Sequence, residues 1–174
     1  MESTQDCCAR RVVTGTDAAG RSLVTADAAT SARATTPAFT VFDIWQADNL
    51  PVAVDARNTL SDTVSMEPPS GGVLVRLVTF APDSEWETVS GYEAAMAAVG
   101  GNSTTGEGDV PGTHVTDTVD VVTVLDGELH IVLQEGEVLL RPGDSLVQRA
   151  TKHAWSNRTG RPVTIVATLL SAKR

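Results

Sequence analysis

Hydrophobic and polar positions alternate in short runs along most of the 174 residues. Arg10–Thr16 and Arg21–Thr25 are Val/Thr-rich runs flanking Asp17-Ala18-Ala19-Gly20, which predicts a hairpin. Asp27–Pro37 has no periodicity and reads as a loop, and Phe39–Trp45 reads as a short strand. Asp48–Gly72 holds Pro51, Pro68, Pro69, Gly71 and Gly72 and predicts a long irregular connection. Val73–Phe80, VLVRLVTF, is a clear strand ended by Ala81-Pro82. Trp86–Val99 is the one good helix, with Tyr92, Met96 and Val99 at spacings of four and three and Gly100-Gly101 as its stop. Gly101–Gly112 reads as a loop.

From His114 onward turns come close together. Strands are predicted at His114–Leu125, Glu128–Leu133, Glu137–Leu140, Ser145–Gln148, Ala154–Asn157 and Pro162–Leu170. Asp126-Gly127, Gln134–Gly136 and Pro142–Asp144 separate the first four. Short strands this frequent imply an all-β sandwich or small barrel. The expected organisation is a flexible terminus at 1–9, an arm of short strands at 10–69 packing on the barrel, and a barrel at 70–172 with an insertion at about 84–111. The helix in that insertion reads equally as a lid, a dimer contact or a simple insert.

Composition agrees. Val (23) and Thr (22) make up about a quarter of the chain, as strands prefer. With 22 acidic against 13 basic residues and a net charge of −9, a nucleic-acid partner or an anionic membrane surface is not expected. No apolar run reaches the roughly 18–20 residues of a membrane span. Cys7 and Cys8 are the only cysteines, so no disulfide framework is expected, and Met1–Arg11 lacks a signal-peptide core; the expectation is a cytoplasmic protein.

Three histidines make the chemistry easy to locate. On a strand from His114, side chains of His114, Thr116, Thr118, Asp120, Val122 and Val124 share one face. His153 follows the strand ending at Gln148 and could join that face. Two imidazoles and a carboxylate are a ligand set for Fe, Mn, Ni, Zn or Cu, or else polar groups lining a closed core. His130 falls on the face opposite Leu129 and Ile131 and reads as a sheet or surface residue. Arg76 interrupts an apolar strand; turned inward it needs a carboxylate or a ligand anion. Gln148 is a candidate substrate contact or a loop-stabilising amide. Trp155 is a candidate pocket wall or a core residue.

The motifs resemble those of the cupin family. His114-x-Thr116, three residues, Asp120, six residues, Gly127 is similar to the first cupin motif, and Gln148-x-Ala150-x-x-His153, three residues, Asn157 to the second. The resemblance covers about 100 residues. It implies a double-stranded β-helix, or jelly-roll barrel, with an N-terminal hairpin arm and one short helical insertion. It also implies a small-molecule substrate, a homodimer, and a divalent metal on His114, Asp120 and His153, weakened because Thr116 stands where a histidine is usual and Asp120 where a glutamate is. The substrate-binding positions it suggests are Thr116, Gln148, Trp155 and Arg76. The expected activity is a lyase-type tailoring enzyme, a dehydratase, decarboxylase or isomerase acting on a hydroxylated carbonyl or carboxylic acid compound. A metal-dependent oxygenase and a non-catalytic ligand-binding cupin are the alternatives.

Overall fold

The computed structural model describes residues 9–86, 89–101, 106 and 109–174. Cys7, Cys8 and half of the Gly101–Gly112 loop lie outside them.

The chain runs β1 (Arg10–Thr16), β2 (Ser22–Ala29), β3 (Arg33–Thr35), β4 (Phe39–Ala47), β5 (Val73–Phe80), α1 (Val89–Ala97), β6 (Thr118–Asp126), β7 (Leu129–Leu133), β8 (Gly136–Leu140), β9 (Ser145–Arg149), β10 (His153–Ser156) and β11 (Val163–Ser171). One sheet has the order β3-β4-β5-β11-β6-β9, a second β10-β7-β8, and β1-β2 is a separate ribbon. The inner faces of the two larger sheets share one apolar core.

Period-two patterning builds this core. In β11, Val163, Ile165, Ala167 and Leu169 are buried while the intervening side chains are half-exposed. Leu129 and Ile131 supply the facing layer and are fully buried. Each such side chain contributes roughly 1.5–3 kcal/mol on burial. The β6–β7 turn depends on Gly127, with φ 85°, because a Cβ there would sit 2.6 Å from Cγ2 of Val163.

Four sequence expectations change. First, Asp27–Pro37 is not simply a loop. β2 runs on to Ala29 by pairing with Arg10, and β3 pairs with β4. Small, polar residues form strands there because ladder hydrogen bonds, not an apolar face, hold exposed edges. Second, only β1-β2 stands apart as an arm. β4 is hydrogen-bonded to β5 inside the main sheet, and its Phe39 and Val41 are core residues, so the barrel does not begin at residue 70. Third, the helix spans Val89–Ala97, shorter than Trp86–Val99. A 3-10 turn at Asp83–Glu85 precedes it, where the Asp83 carboxylate accepts hydrogen bonds from Asn157 N and Ser156 Oγ. Fourth, β6 starts at Thr118. His114 stands before it on an isolated bridge, yet the alternation of buried positions continues unbroken from His114 to Val124.

Candidate active site

The backbones of His114 and His153 clasp each other. His114 N donates to His153 O at 2.9 Å and His153 N to His114 O at 3.0 Å. The two rings consequently lie with centroids 4.3 Å apart, tilted by 52°. His114 Nδ1 lies 2.8 Å from the carbonyl of Gly112, and His153 Nδ1 lies 2.9 Å from the carbonyl of Thr151. A carbonyl only accepts, so each Nδ1 carries the proton and each Nε2 is left bare beside the cavity that both rings line.

Gly112 is needed for this arrangement. Its φ is +86°, and a Cβ would fall 2.3 Å from the Tyr92 ring. Gln148 is buried behind His153. Its Nε2 donates to the Thr151 carbonyl at 2.8 Å and to the Thr151 hydroxyl, and it stands 3.0 Å from His153 Nδ1. The side chain therefore supports the histidine's anchor and does not line the cavity. Of the two readings the sequence left open for Gln148, the geometry favours the stabilising amide.

Asp120 faces the cavity from β6, directly across from Gln148 on β9. Thr118 beside it opposes the rise that burial imposes on its pKa, and the Thr118 hydroxyl lies 2.7 Å from the Thr116 hydroxyl. Asp120 Oδ1 is buried without a hydrogen-bond partner. The Thr-x-Thr-x-Asp spacing places these residues on one face, and Thr118, which the sequence put on that face without a role, is the neighbour of both Thr116 and Asp120.

Arg76 does turn inward, and its partner is a residue the sequence did not single out. Nε donates to Asp43 Oδ1 at 2.9 Å on β4, and both side chains are almost wholly buried. Nη1 and Nη2 donate to the carbonyls of Met66 and Ser65. Trp155 is half-buried, 6.1 Å from Phe80 and edge-on to His153 at 5.7 Å, and forms part of the wall. His130 is half-buried outside the cavity, and Asp117 is exposed and paired with Arg174. Asn157 pins its turn by donating to the carbonyls of Phe80 and Arg161.

The cavity has a volume of about 90 Å³. Phe39, Val41, Val78, Phe80 and Tyr92 make much of its wall apolar, and Arg76, His114, Thr116, Asp120 and His153 are its polar groups. Burial governs their ionisation. It pushes His153 down to about 4, with the neighbouring His114 adding to the shift, and it lowers His114 as well. It pushes Asp120 up to about 6, against the Thr118 hydrogen bond and the Arg76 charge. Near neutral pH both imidazoles are uncharged.

A family model described as "Cupin domain" matches residues 103–169. Over those residues the chain matches a cupin domain. A cupin-domain-containing oxidoreductase, fogC, of Aspergillus ruber is 29% identical over 121 residues, covering 67% of this chain and 47% of that protein. Phomopsin biosynthesis cluster protein D of Diaporthe leptostromiformis is 49% identical over 47 residues, 26% of this chain and 25% of the relative. The chain thus spans about half the length, or less, of these curated relatives. Among solved structures, KdgF from a Halomonas species aligns with a TM-score of 0.46 at 11% identity, over 80% of this chain and 84% of that one.

Cupins commonly carry a divalent metal, and the motif residues were tested against that role. The cupin barrel brings His114, Asp120 and His153 to one cavity but not into a cluster around one point. Among the described residues no group of three or more His, Cys, Asp or Glu side chains could hold a metal ion. Thr116 supplies no imidazole, its hydroxyl is engaged with Thr118, and Asp120 is one methylene shorter than the usual glutamate. The expected metal set on His114, Asp120 and His153 is therefore not formed, and the residues present do not fit the ion.

Proposed function

We propose that this cupin domain is a proton-transferring enzyme of lyase type, with dehydration of a β-hydroxy carbonyl compound as its reaction. One observation carries the reading: two neutral imidazoles with bare Nε2 atoms share a small apolar cavity with a carboxyl group whose pKa is raised to about 6. A base and an acid with separated ionisation are what such a reaction requires.

In the proposed step, His153 or His114 takes a proton from the carbon next to the substrate carbonyl through Nε2. The electron pair forms the new C=C bond as the C–O bond to the hydroxyl breaks. Protonated Asp120 gives its proton to the departing hydroxyl, which leaves as water. The imidazolium then returns its proton to Asp120 by way of solvent. The Gly112 and Thr151 carbonyls hold the rings in the base tautomer and stabilise the cation as it forms. The apolar wall excludes bulk water and strengthens both proton transfers. Isomerisation would use the same two groups without loss of water.

Relatives named for biosynthesis clusters of phomopsin and oryzines support a role in secondary metabolism. The Aspergillus ruber relative, named as an oxidoreductase, favours a second reading, an oxidoreductase. The deciding experiment incubates the protein with a panel of β-hydroxy ketones and follows the conjugated product by absorbance, with oxygen uptake and metal content measured in parallel. Under the lyase reading the product accumulates without oxygen uptake, a chelator leaves the rate unchanged, and His153→Ala lowers it by roughly 10²–10⁴-fold. Oxygen uptake with stoichiometric iron would sink that reading in favour of the oxidoreductase. Tight ligand binding without turnover, unchanged in His153→Ala, would leave a binding protein.

A further inference from the structure

We infer that the cavity takes an uncharged, hydroxyl-bearing molecule and rejects carboxylates. The inference rests on the cavity being the active site proposed above, and it narrows the substrate from "hydroxylated carbonyl or carboxylic acid" to the first of the two.

The argument is a charge inventory. Arg76 is the only cationic side chain among the cavity's described lining residues, and its charge is already used. Its Nε is bound to Asp43, and its two terminal nitrogens are bound to the Ser65 and Met66 carbonyls. The segments outside the described residues hold no Lys or Arg at all. Asp43, Arg76 and Asp120 together sum to −1 with Asp120 ionised and to zero with it protonated. Neither state offers a surplus positive charge, and the two imidazoles are neutral. A carboxylate entering this space would be a buried charge without a partner, which is strongly unfavourable.

What the wall does offer points to a neutral guest. Phe39 packs edge-on against Phe80 and Tyr92, at 6.4 and 6.3 Å, giving an aromatic surface for an apolar body. Asp120 Oδ1 has no hydrogen-bond partner, so at pH 7.5, where the carboxyl is ionised, a donor in the guest is matched and a second anion is repelled. The bare Nε2 atoms of His114 and His153 also accept. Three acceptors and no free cation favour a hydroxyl group over a carboxylate. A decarboxylase, whose substrate must arrive as a carboxylate, is disfavoured on the same ground.

The test uses the wild-type protein and a matched pair of probes, benzyl alcohol and benzoate, at pH 7.5. Binding is measured by calorimetry, and the three histidine ring resonances are followed by NMR. Benzyl alcohol is expected to bind at least tenfold more tightly and to shift two of the three resonances, those of His114 and His153. Benzoate binding as tight as the alcohol, binding of neither probe, or alcohol binding that leaves those two resonances unmoved would each overturn the inference. The outcome is separable from the reaction assay. Preference for the alcohol without turnover of any β-hydroxy ketone keeps the selectivity and removes the lyase. Turnover of a carboxylate substrate keeps an enzyme and removes the selectivity.

Discussion

His114 and His153 exchange backbone hydrogen bonds at 2.9 and 3.0 Å, so the two imidazoles are joined by main chain before either ring touches the other. The rings' separation of 4.3 Å is thus set by backbone geometry. Neither ring can be reprotonated freely, because a charge on one opposes a charge on the other.

This coupling predicts a bell-shaped pH dependence of kcat/KM. The base must be neutral, which fails as pH falls through about 4, the value to which His153 is lowered. The acid must be protonated, which fails as pH rises through about 6, the value to which Asp120 is raised. Activity should peak between these limits and drop about tenfold per unit above the upper one. A steady-state profile from pH 3.5 to 8 checks it, and a plateau extending past pH 8 would remove Asp120 as the acid.

Asp120→Asn should stabilise the fold while ending catalysis. The carboxyl holds its proton more tightly when folded, at about 6, than at its ordinary 3.8. Its contribution to stability is therefore fully present below the ordinary value and is lost as pH rises through about 6. Above that, the ionised group costs the folded state up to roughly 3 kcal/mol. The amide keeps an acceptor for Thr118 and removes that cost. Urea unfolding should show a gain of about 1–3 kcal/mol at pH 8 and little change at pH 3.5.

Arg76→Met should be costly, by about 3–5 kcal/mol, because it strands the Asp43 carboxylate in the core. It also leaves the Ser65 and Met66 carbonyls without their donors. The double change Asp43→Leu with Arg76→Met should recover most of the loss. Denaturant midpoints of the four proteins in this cycle give the coupling directly.

Gly112→Ala should cost at least about 2 kcal/mol, from a positive φ and a Cβ driven into Tyr92. It should also release His114 from its carbonyl anchor. The His114 ring resonance should then titrate still further below an ordinary histidine, because the Gly112 carbonyl is what opposes the lowering by burial, while a surface change such as Gly143→Ala leaves it in place.

Much of the strand series was legible because its cause is local. Side chains alternate along any extended chain, so Val73–Phe80 and the face shared by His114, Asp120 and Val122 follow from spacing alone. Turns marked by Asp126-Gly127 and Pro142–Asp144 are local in the same way. The edges were less legible: β2 and β3 carry small polar residues, and only their partners make them strands.

The sequence by itself determined the all-β character, the cupin motifs and the pairing of His114 and Asp120 on one face, since these depend on residues within a few positions of one another. The tertiary structure alone decided what those groups can do. Asp43 meets Arg76 across 33 residues, through the register of β4 on β5, and that contact uses up the one cationic side chain among the cavity's described lining residues. Carbonyls at Gly112 and Thr151 choose the imidazole tautomers, and His114, Asp120 and His153 share a cavity without closing on a metal. Distances between strands and loops far apart in the chain are set by packing, and no spacing within the sequence encodes them.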